Sequence, residues 1–325
     1  MGVIVISEQD ARALVSIQDA IGVVEQSFAA MARGQARNYP VVREVVGYRD
    51  AVFGVKTGCD AVAPILGLKA GGYWPHNLAQ GLGNHQSATL LFDPQSGRAS
   101  ALVSANYLTG VRTGAASAIA SKHLSRADSS VLGIIGAGVQ AQYQLYATLA
   151  VRPIRRVYAW DPSTDNLAAF GVLVRELGLH FDAAPDCQAV AASADILVTV
   201  TPSQQALVER AWVRPGTHIS AMGADTRGKR ELDPLLVAAA ALFVDEAAQA
   251  ISIGECQHAY AAGLITPDSF RGSLGEVIAG LCDGRRTAQE ITLFDGTGVA
   301  LQDLVVADLA VRLAKQRGIG SDVPY

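Results

Sequence analysis

The sequence has no paired-cysteine motif, no basic stripe and no long apolar run, and each absence removes a class of function. Its four cysteines, Cys59, Cys187, Cys256 and Cys282, stand far apart with no CxxC spacing. A zinc site or a disulfide framework is therefore unsupported, no metal is expected, and scattered single thiols suit a reducing cytoplasm. The formal net charge is −4 over 325 residues. Without clustered Lys and Arg, a nucleic-acid partner is not expected. No uninterrupted apolar stretch reaches about 18 residues, so no membrane span is expected. Met1–Asp10 carries charge too early for a secretory signal. Aromatic residues make up only 6%, and there is no repeat, low-complexity tract or charged tail.

What remains is rich in small and apolar residues: half the chain is hydrophobic and 32 residues are glycine. That composition suits close helix-on-sheet packing and tight turns, and the length suits two lobes of ordinary domain size. Ser16 begins a capping-box-like pattern with Asp19. Ile21, Val24, Phe28 and Met31 follow at helical spacing, and Gly34 can end the helix. Short apolar runs at 51–55, 66–70, 87–92 and 99–104 then read as strands. The last two are joined by the turn-rich segment Asp93–Gly97, so an antiparallel hairpin in a mostly β lobe is expected.

From residue 107 the texture changes. An Ala-rich helix is expected over 107–124. Strand patterns at 131–135, 156–160, 195–200, 217–222, 241–244 and 291–294 then alternate with helical ones at 140–149 and 166–177. Alternation of this kind predicts a parallel sheet covered on both faces. A final amphipathic helix is expected over 301–317, packed back on the first lobe. The fold class is thus α/β: a Rossmann-type doubly wound parallel sheet, residues 120–298, plus an α+β unit, residues 1–119 completed by 299–325.

The sharpest local motif is Val131–Gln140 (VLGIIGAGVQ), an apolar strand that runs into glycines and then a helix. Gly136 permits the tight turn. Gly138 lets the backbone approach a pyrophosphate, whose charge suits a helix N-terminus. Ala137, Val139 and Gln140 belong to the same loop. Asp161 follows at the end of the next strand pattern, where a carboxylate can accept both ribose hydroxyls and would repel a 2′-phosphate. No Arg follows closely to receive such a phosphate, so NAD(H) is expected rather than NADP(H). Taken singly, the glycines could serve packing alone and Asp161 could merely cap a helix.

Four ordered segments between 108 and 303 carry a family resemblance. Leu108–Ala116 (LTGVRTGAA), Gly136–Ala141 (GAGVQA), Met222–Glu231 (MGADTRGKRE) and Phe294–Asp303 (FDGTGVALQD) resemble motifs of the ornithine cyclodeaminase and mu-crystallin family. Gly296 stands where that pattern usually has Ser. The resemblance implies a Rossmann unit, a substrate-binding unit that makes a homodimer, and a substrate site between them. It also implies that Arg43, Lys69 and Arg112 bind the substrate carboxylate, and that Asp225 lies beside the substrate amine. It places Arg112, Thr113, Thr201, Met222 and Asp295 with the cofactor, and leaves Thr297 near it without a resolved role.

The residue types fit those roles. Arg binds both oxygens of a carboxylate through its planar fork. A carboxylate such as Asp225 offsets the charge of an iminium in a closed site. An arbitrary Arg or Lys is more often part of a structural ion pair, and a loop Asp is more often part of a turn. His85, at an expected strand start, is either a buried structural histidine or a donor to a second carboxylate. The candidate catalytic set is Lys69, Asp225 and His85. The substrate-binding set is Arg43, Lys69, His85 and Arg112.

Pro40–Glu44, Gly67–Pro75, Asn84–Ser87 and Ser252–Ala259 are unusual for ordinary cyclodeaminases. They resemble a reductase branch of the family that converts iminosuccinate to L-aspartate with NADH. The expectation is therefore NADH-dependent reduction of a small anionic imino acid. A redox-neutral cyclodeaminase with bound NAD, an alanine dehydrogenase and a cyclic ketimine reductase remain open, as does a crystallin-like protein that binds NAD(H) without turnover.

Overall fold

The computed structural model describes residues 2–325. In chain order its first strands and helices are β1 (Val3–Ile6), α1 (Glu8–Leu14), α2 (Ile17–Ala32), β2 (Ala36–Asn38), β3 (Val42–Val45), β4 (Val52–Asp60), β5 (Ile65–Tyr73), β6 (His85–Phe92), β7 (Ala99–Ser104) and α3 (Asn106–Leu124). The middle of the chain contributes β8 (Val131–Ile135), α4 (Val139–Leu149), β9 (Arg156–Trp160), α5 (Thr164–Glu176), β10 (His180–Ala183), α6 (Cys187–Ser193), β11 (Ile196–Thr199) and β12 (His218–Ala221). It continues through α7 (Pro234–Ala239), β13 (Ala241–Val244), α8 (Ala247–Ala250), α9 (Gln257–Ala261), β14 (Phe270–Ser273), α10 (Leu274–Ile278) and β15 (Thr292–Asp295), and the chain closes with α11 (Ala300–Arg317) and β16 (Ser321–Val323).

Two compact units result, Met1–Arg112 with Val299–Tyr325, and Thr113–Gly298. The first division falls inside α3, seven residues before the expected 119/120 boundary. The reason is which neighbours each part of the helix meets. Asn106, Thr109 and Arg112 bond to Gln86, Lys69 and Asp303 of the first unit. From Gly114 onward the helix lies against α4, where an added Cβ would come within 2.6 Å of the Tyr143 carbonyl.

The first unit holds one sheet in the order β16-β1-β7-β6-β5-β4-β2, with β3 also paired to β4. All pairings are antiparallel except β1 with β7. The expected hairpin is β6–β7. Helix α11 lies across β4, β5 and β6 and against α2. It is not the amphipathic helix that its pattern suggested. Leu301, Leu304, Val305, Val306 and Leu309 are all buried, as are its polar residues Gln302 and Asp303. Enclosure between a sheet and a second helix leaves only the last turns, with Lys315 and Arg317, for solvent.

The second unit is a fully parallel sheet in the order β10-β9-β8-β11-β12-β15-β13-β14. The order reverses between β8 and β11, the switch point beside which doubly wound sheets bind their ligands. Strands β8 and β11 are buried on both faces, which explains their Val-, Ile- and Leu-rich sequences. No helix among the described residues is long and apolar enough to cross a membrane.

Candidate active site

In the first unit, strand register puts the cations on one face. Cross-strand partners share a face, and Lys56 pairs with Lys69, which pairs with Thr89. The next row on that face is Arg43, Gly54, Gly71 and Ser87. The row beyond holds Tyr73 and His85. His85 does open β6, but it stands four residues along the strand from Thr89, about 13 Å. It therefore lies two rows from Lys69 on the same face of the sheet.

Two helices complete the cluster. From α3, Thr109 Oγ1 lies 2.7 Å from Lys69 Nζ, and Arg112 follows one turn later. From α11, Asp303 Oδ1 accepts from Lys69 Nζ at 3.1 Å and from Arg112 Nε at 3.0 Å, while Gln302 Oε1 accepts from Arg112 Nη1 at 2.9 Å. Lys69 and Arg112 are each 7% exposed and Asp303 3%, so these charges are held largely out of water. Burial alone would raise the Asp303 carboxyl, but Arg112, Lys69 and Lys56 outweigh it and hold it at about 2. Burial lowers Lys69 to about 8, with Asp303 opposing and Arg112 assisting. A structural ion pair balances its own charge. Here Lys56, Lys69 and Arg112 all act on Asp303, and Arg43 adds to the positive field at both lysines, an arrangement suited to receiving an anion.

In the second unit, the turn after β8 is built for a phosphate. Gly136 has φ +98°, and a Cβ there would lie 2.8 Å from both the Val200 carbonyl oxygen and Thr201 Cγ2. Gly138 caps α4 without a side chain, and a Cβ added to it would meet nothing within 4 Å. The first-turn N–H groups of α4 thus have no side-chain cap, beside open space. Ala137 is nearly buried, whereas Val139 at the first position of the helix is 73% exposed. Asp161 braces this turn: Oδ2 accepts the Ala137 N–H at 2.7 Å and Oδ1 accepts the Ser163 N–H at 2.8 Å. These residues fit a dinucleotide.

The loops at the carboxyl ends of the neighbouring strands are tied by carboxylates that the sequence reading passed over. Glu231 accepts from Thr199 Oγ1 at 2.8 Å, the Thr201 N–H at 2.6 Å and the Gly223 N–H at 2.9 Å. Glu255 in turn accepts the N–H groups of Glu231 and Leu232. Burial pushes both carboxyls upward. Thr201 is therefore held at its backbone. Met222 is buried, and a side chain at Gly296 would come within 2.6 Å of its sulfur, so the missing Ser makes room for Met222. Asp295 Oδ2 accepts the Cys256 N–H at 2.9 Å, and burial raises its carboxyl to about 7. Thr297 donates to Asp245 at 2.7 Å, and Thr113, just past the α3 division, is buried. Asp225 lies in the loop after β12, paired with Lys229 Nζ at 2.7 Å and partly exposed.

Lys56 and Asp303 also carried no assigned role in the sequence. Asp303 ends a recognised segment, but its partners are remote in sequence. The strand pattern at 51–55 stopped one residue short of Lys56, whereas β4 continues to Asp60.

A parallel sheet in this strand order, with a glycine turn opening a helix and an aspartate at the next strand end, defines a Rossmann-type dinucleotide-binding unit, here joined to an α+β unit with a cation-lined sheet. The chain belongs to the ornithine cyclodeaminase/mu-crystallin family, which it matches over residues 3–316. It is 49% identical over 320 residues to the iminosuccinate reductase of Paracoccus denitrificans (strain Pd 1222), covering 98% of this chain and 99% of that one. The crystal structure of the Paracoccus denitrificans iminosuccinate reductase with NAD+ superposes with a TM-score of 0.93 at 48% identity, covering both chains completely. The Thermococcus litoralis Delta(1)-pyrroline-2-carboxylate reductase, solved with NADH and L-proline, gives 0.95 at 31% identity, covering 99% of this chain and 100% of that one. An archaeal alanine dehydrogenase dimer with bound NAD also gives 0.95, at 35% identity with full coverage of both chains.

Proposed function

We propose that this chain is an NADH-dependent imine reductase that converts iminosuccinate to L-aspartate. The observation that carries the reading is the cluster of Lys56, Lys69 and Arg112 at Asp303, with Arg43 near enough to act on both lysines, in a chain that also holds a dinucleotide turn. A small substrate with two negative charges matches that field.

When bound, NADH supplies a hydride to the imine carbon. The C=N π bond breaks, the nitrogen takes up a proton, and the product is an amine. This chain's residues prepare that step. Gly136, Gly138 and the first turn of α4 receive the pyrophosphate, and Asp161 accepts the ribose hydroxyls. Lys69 and Arg112, fixed by Asp303, hold a carboxylate in place, which fixes the orientation of the imine. Asp225 favours the protonated imine and the ammonium product electrostatically. Arg43 supplies a further cation on the same sheet face.

The opposite face of that sheet exposes Val42 and Phe53 on the paired strands β3 and β4, and Leu102 on β7. Burial of this face against a second copy accounts for it, so we propose a homodimer, for which light scattering coupled to size exclusion should give twice the chain mass.

The test of the activity is NADH oxidation over a substrate panel: oxaloacetate with ammonia, pyruvate with ammonia, Delta(1)-pyrroline-2-carboxylate and ornithine. Oxaloacetate with ammonia should give the highest kcat/KM, and Arg43→Ala should raise its KM with less effect on kcat. Preference for pyruvate or the cyclic imine would overturn the choice of substrate. Turnover of ornithine without NADH consumption would mark a cyclodeaminase.

A further inference from the structure

We propose that Lys56 is the anchor for the second carboxylate of the substrate, the residue that selects a dicarboxylic over a monocarboxylic imino acid. This rests on the imine-reductase reading above and adds to it the residue that sets substrate class.

Register fixes the placement. Lys56 on β4 stands directly across from Lys69 on β5, so their side chains leave the sheet on the same face with Cβ atoms about 5 Å apart. Such a spacing is of the order separating the two carboxylates of a four-carbon diacid. Lys69 is fixed by Thr109 and Asp303, and the same Asp303 oxygen also takes Arg112. One end of a ligand bound there would meet Lys69 and Arg112. The neighbouring charged side chain on the sheet floor is Lys56. The next row carries Gly54 and Gly71, so no side chain rises between the lysine pair and the space toward Arg43.

The charges around Lys56 point the same way. Burial, then Arg112, Lys69 and Arg43, hold its ammonium down to about 7, with Asp303 opposing. A second carboxylate placed here would relieve that repulsion. A monocarboxylate held by Lys69 and Arg112 has no second charged group to offer it. The Lys56 ammonium thus has little stake in a three-carbon imine and a large one in its four-carbon acidic relative.

The experiment compares Lys56→Met and Lys56→Arg with the wild-type protein, using two readouts. The first is calorimetric binding of succinate and of propionate to the NAD-loaded protein. The second is kcat/KM for oxaloacetate with ammonia against pyruvate with ammonia. Lys56→Met should weaken succinate binding and dicarboxylate kcat/KM about 30-fold, from loss of one charged hydrogen bond. Propionate binding and pyruvate turnover should stay within about threefold, and Lys56→Arg should recover most of the dicarboxylate preference. Should Lys56→Met fail to fold by circular dichroism, Lys56→Gln takes its place. Equal losses for both ligands, or no loss for either, would overturn the assignment. A wild-type protein that prefers succinate to propionate yet reduces no imine would sink the proposed reaction while leaving the Lys56 anchor standing. One that reduces iminosuccinate with Lys56→Met as selective as wild type would do the reverse.

Discussion

Asp303 accepts from both Lys69 and Arg112 through a single oxygen, Oδ1, so one carboxylate is the shared counter-charge of two buried cations. Removing one partner of such a group leaves charge buried without compensation, which costs about 3–5 kcal/mol. Asp303→Asn should therefore lower unfolding stability by about that amount in urea titrations and also raise KM, because Lys69 and Arg112 lose their fixed positions. An unchanged midpoint would contradict the shared role. Asp161 has two roles that one substitution separates. It braces the glycine turn through the Ala137 N–H, and it presents a carboxylate where the ribose is expected. Asp161→Arg should raise the ratio of NADPH to NADH kcat/KM, even if affinity for both cofactors falls with the lost brace. A ratio that stays or moves toward NADH would take Asp161 out of cofactor selection.

At the level of elements, the turn from β8 into α4 depends on Gly136 more than on any side chain. Gly136→Ala forces a Cβ into φ +98° and against the Val200 carbonyl. Strain at such a position costs about 1–3 kcal/mol. The variant should lose most of its NADH affinity by fluorescence titration while keeping its helical content, and undiminished affinity would show that the turn does not form the site. This part of the site was legible in the sequence because it is local: strand, glycines, helix and aspartate follow one another along the chain. The central parallel strands were legible too, because burial on both faces makes them continuous apolar runs. Short or polar edge strands such as β10 and β16 carry no such run and were not legible. Nor was the cation cluster as an arrangement. Lys56 meets Lys69 only through strand register, and Asp303 meets Lys69 across most of the chain. Glu231 closed a recognised segment, but its work on Thr199, Thr201 and Gly223 appears only when the strand ends converge. The helix α11 pattern misled because its polar Gln302 and Asp303 point into a buried cluster rather than to water.

For the molecule as a whole, the buried carboxyls set a pH dependence of stability. Burial, with Asp245 adding to it, raises Asp295 to about 7 from an ordinary 3.8, and Glu255 and Glu231 shift in the same direction. A carboxyl with a raised folded-state pKa binds its proton more tightly in the folded chain. Its contribution is therefore full below about pH 4 and is lost as pH rises through 7. Other groups add their own slopes, so the comparison that isolates it is between variants. Without cofactor, Asp295→Asn should lose less Tm between pH 5 and pH 8 than the wild-type protein, and parallel profiles would contradict the burial argument. The central claim, reduction of an imine by hydride transfer, has one most direct measurement: incubation of the protein with NADH deuterated at C4, oxaloacetate and ammonia, followed by mass spectrometry and proton NMR of the products. Aspartate carrying deuterium at Cα is expected, formed only when ammonia is present. Deuterium in malate instead, or unlabelled products, would contradict the claim.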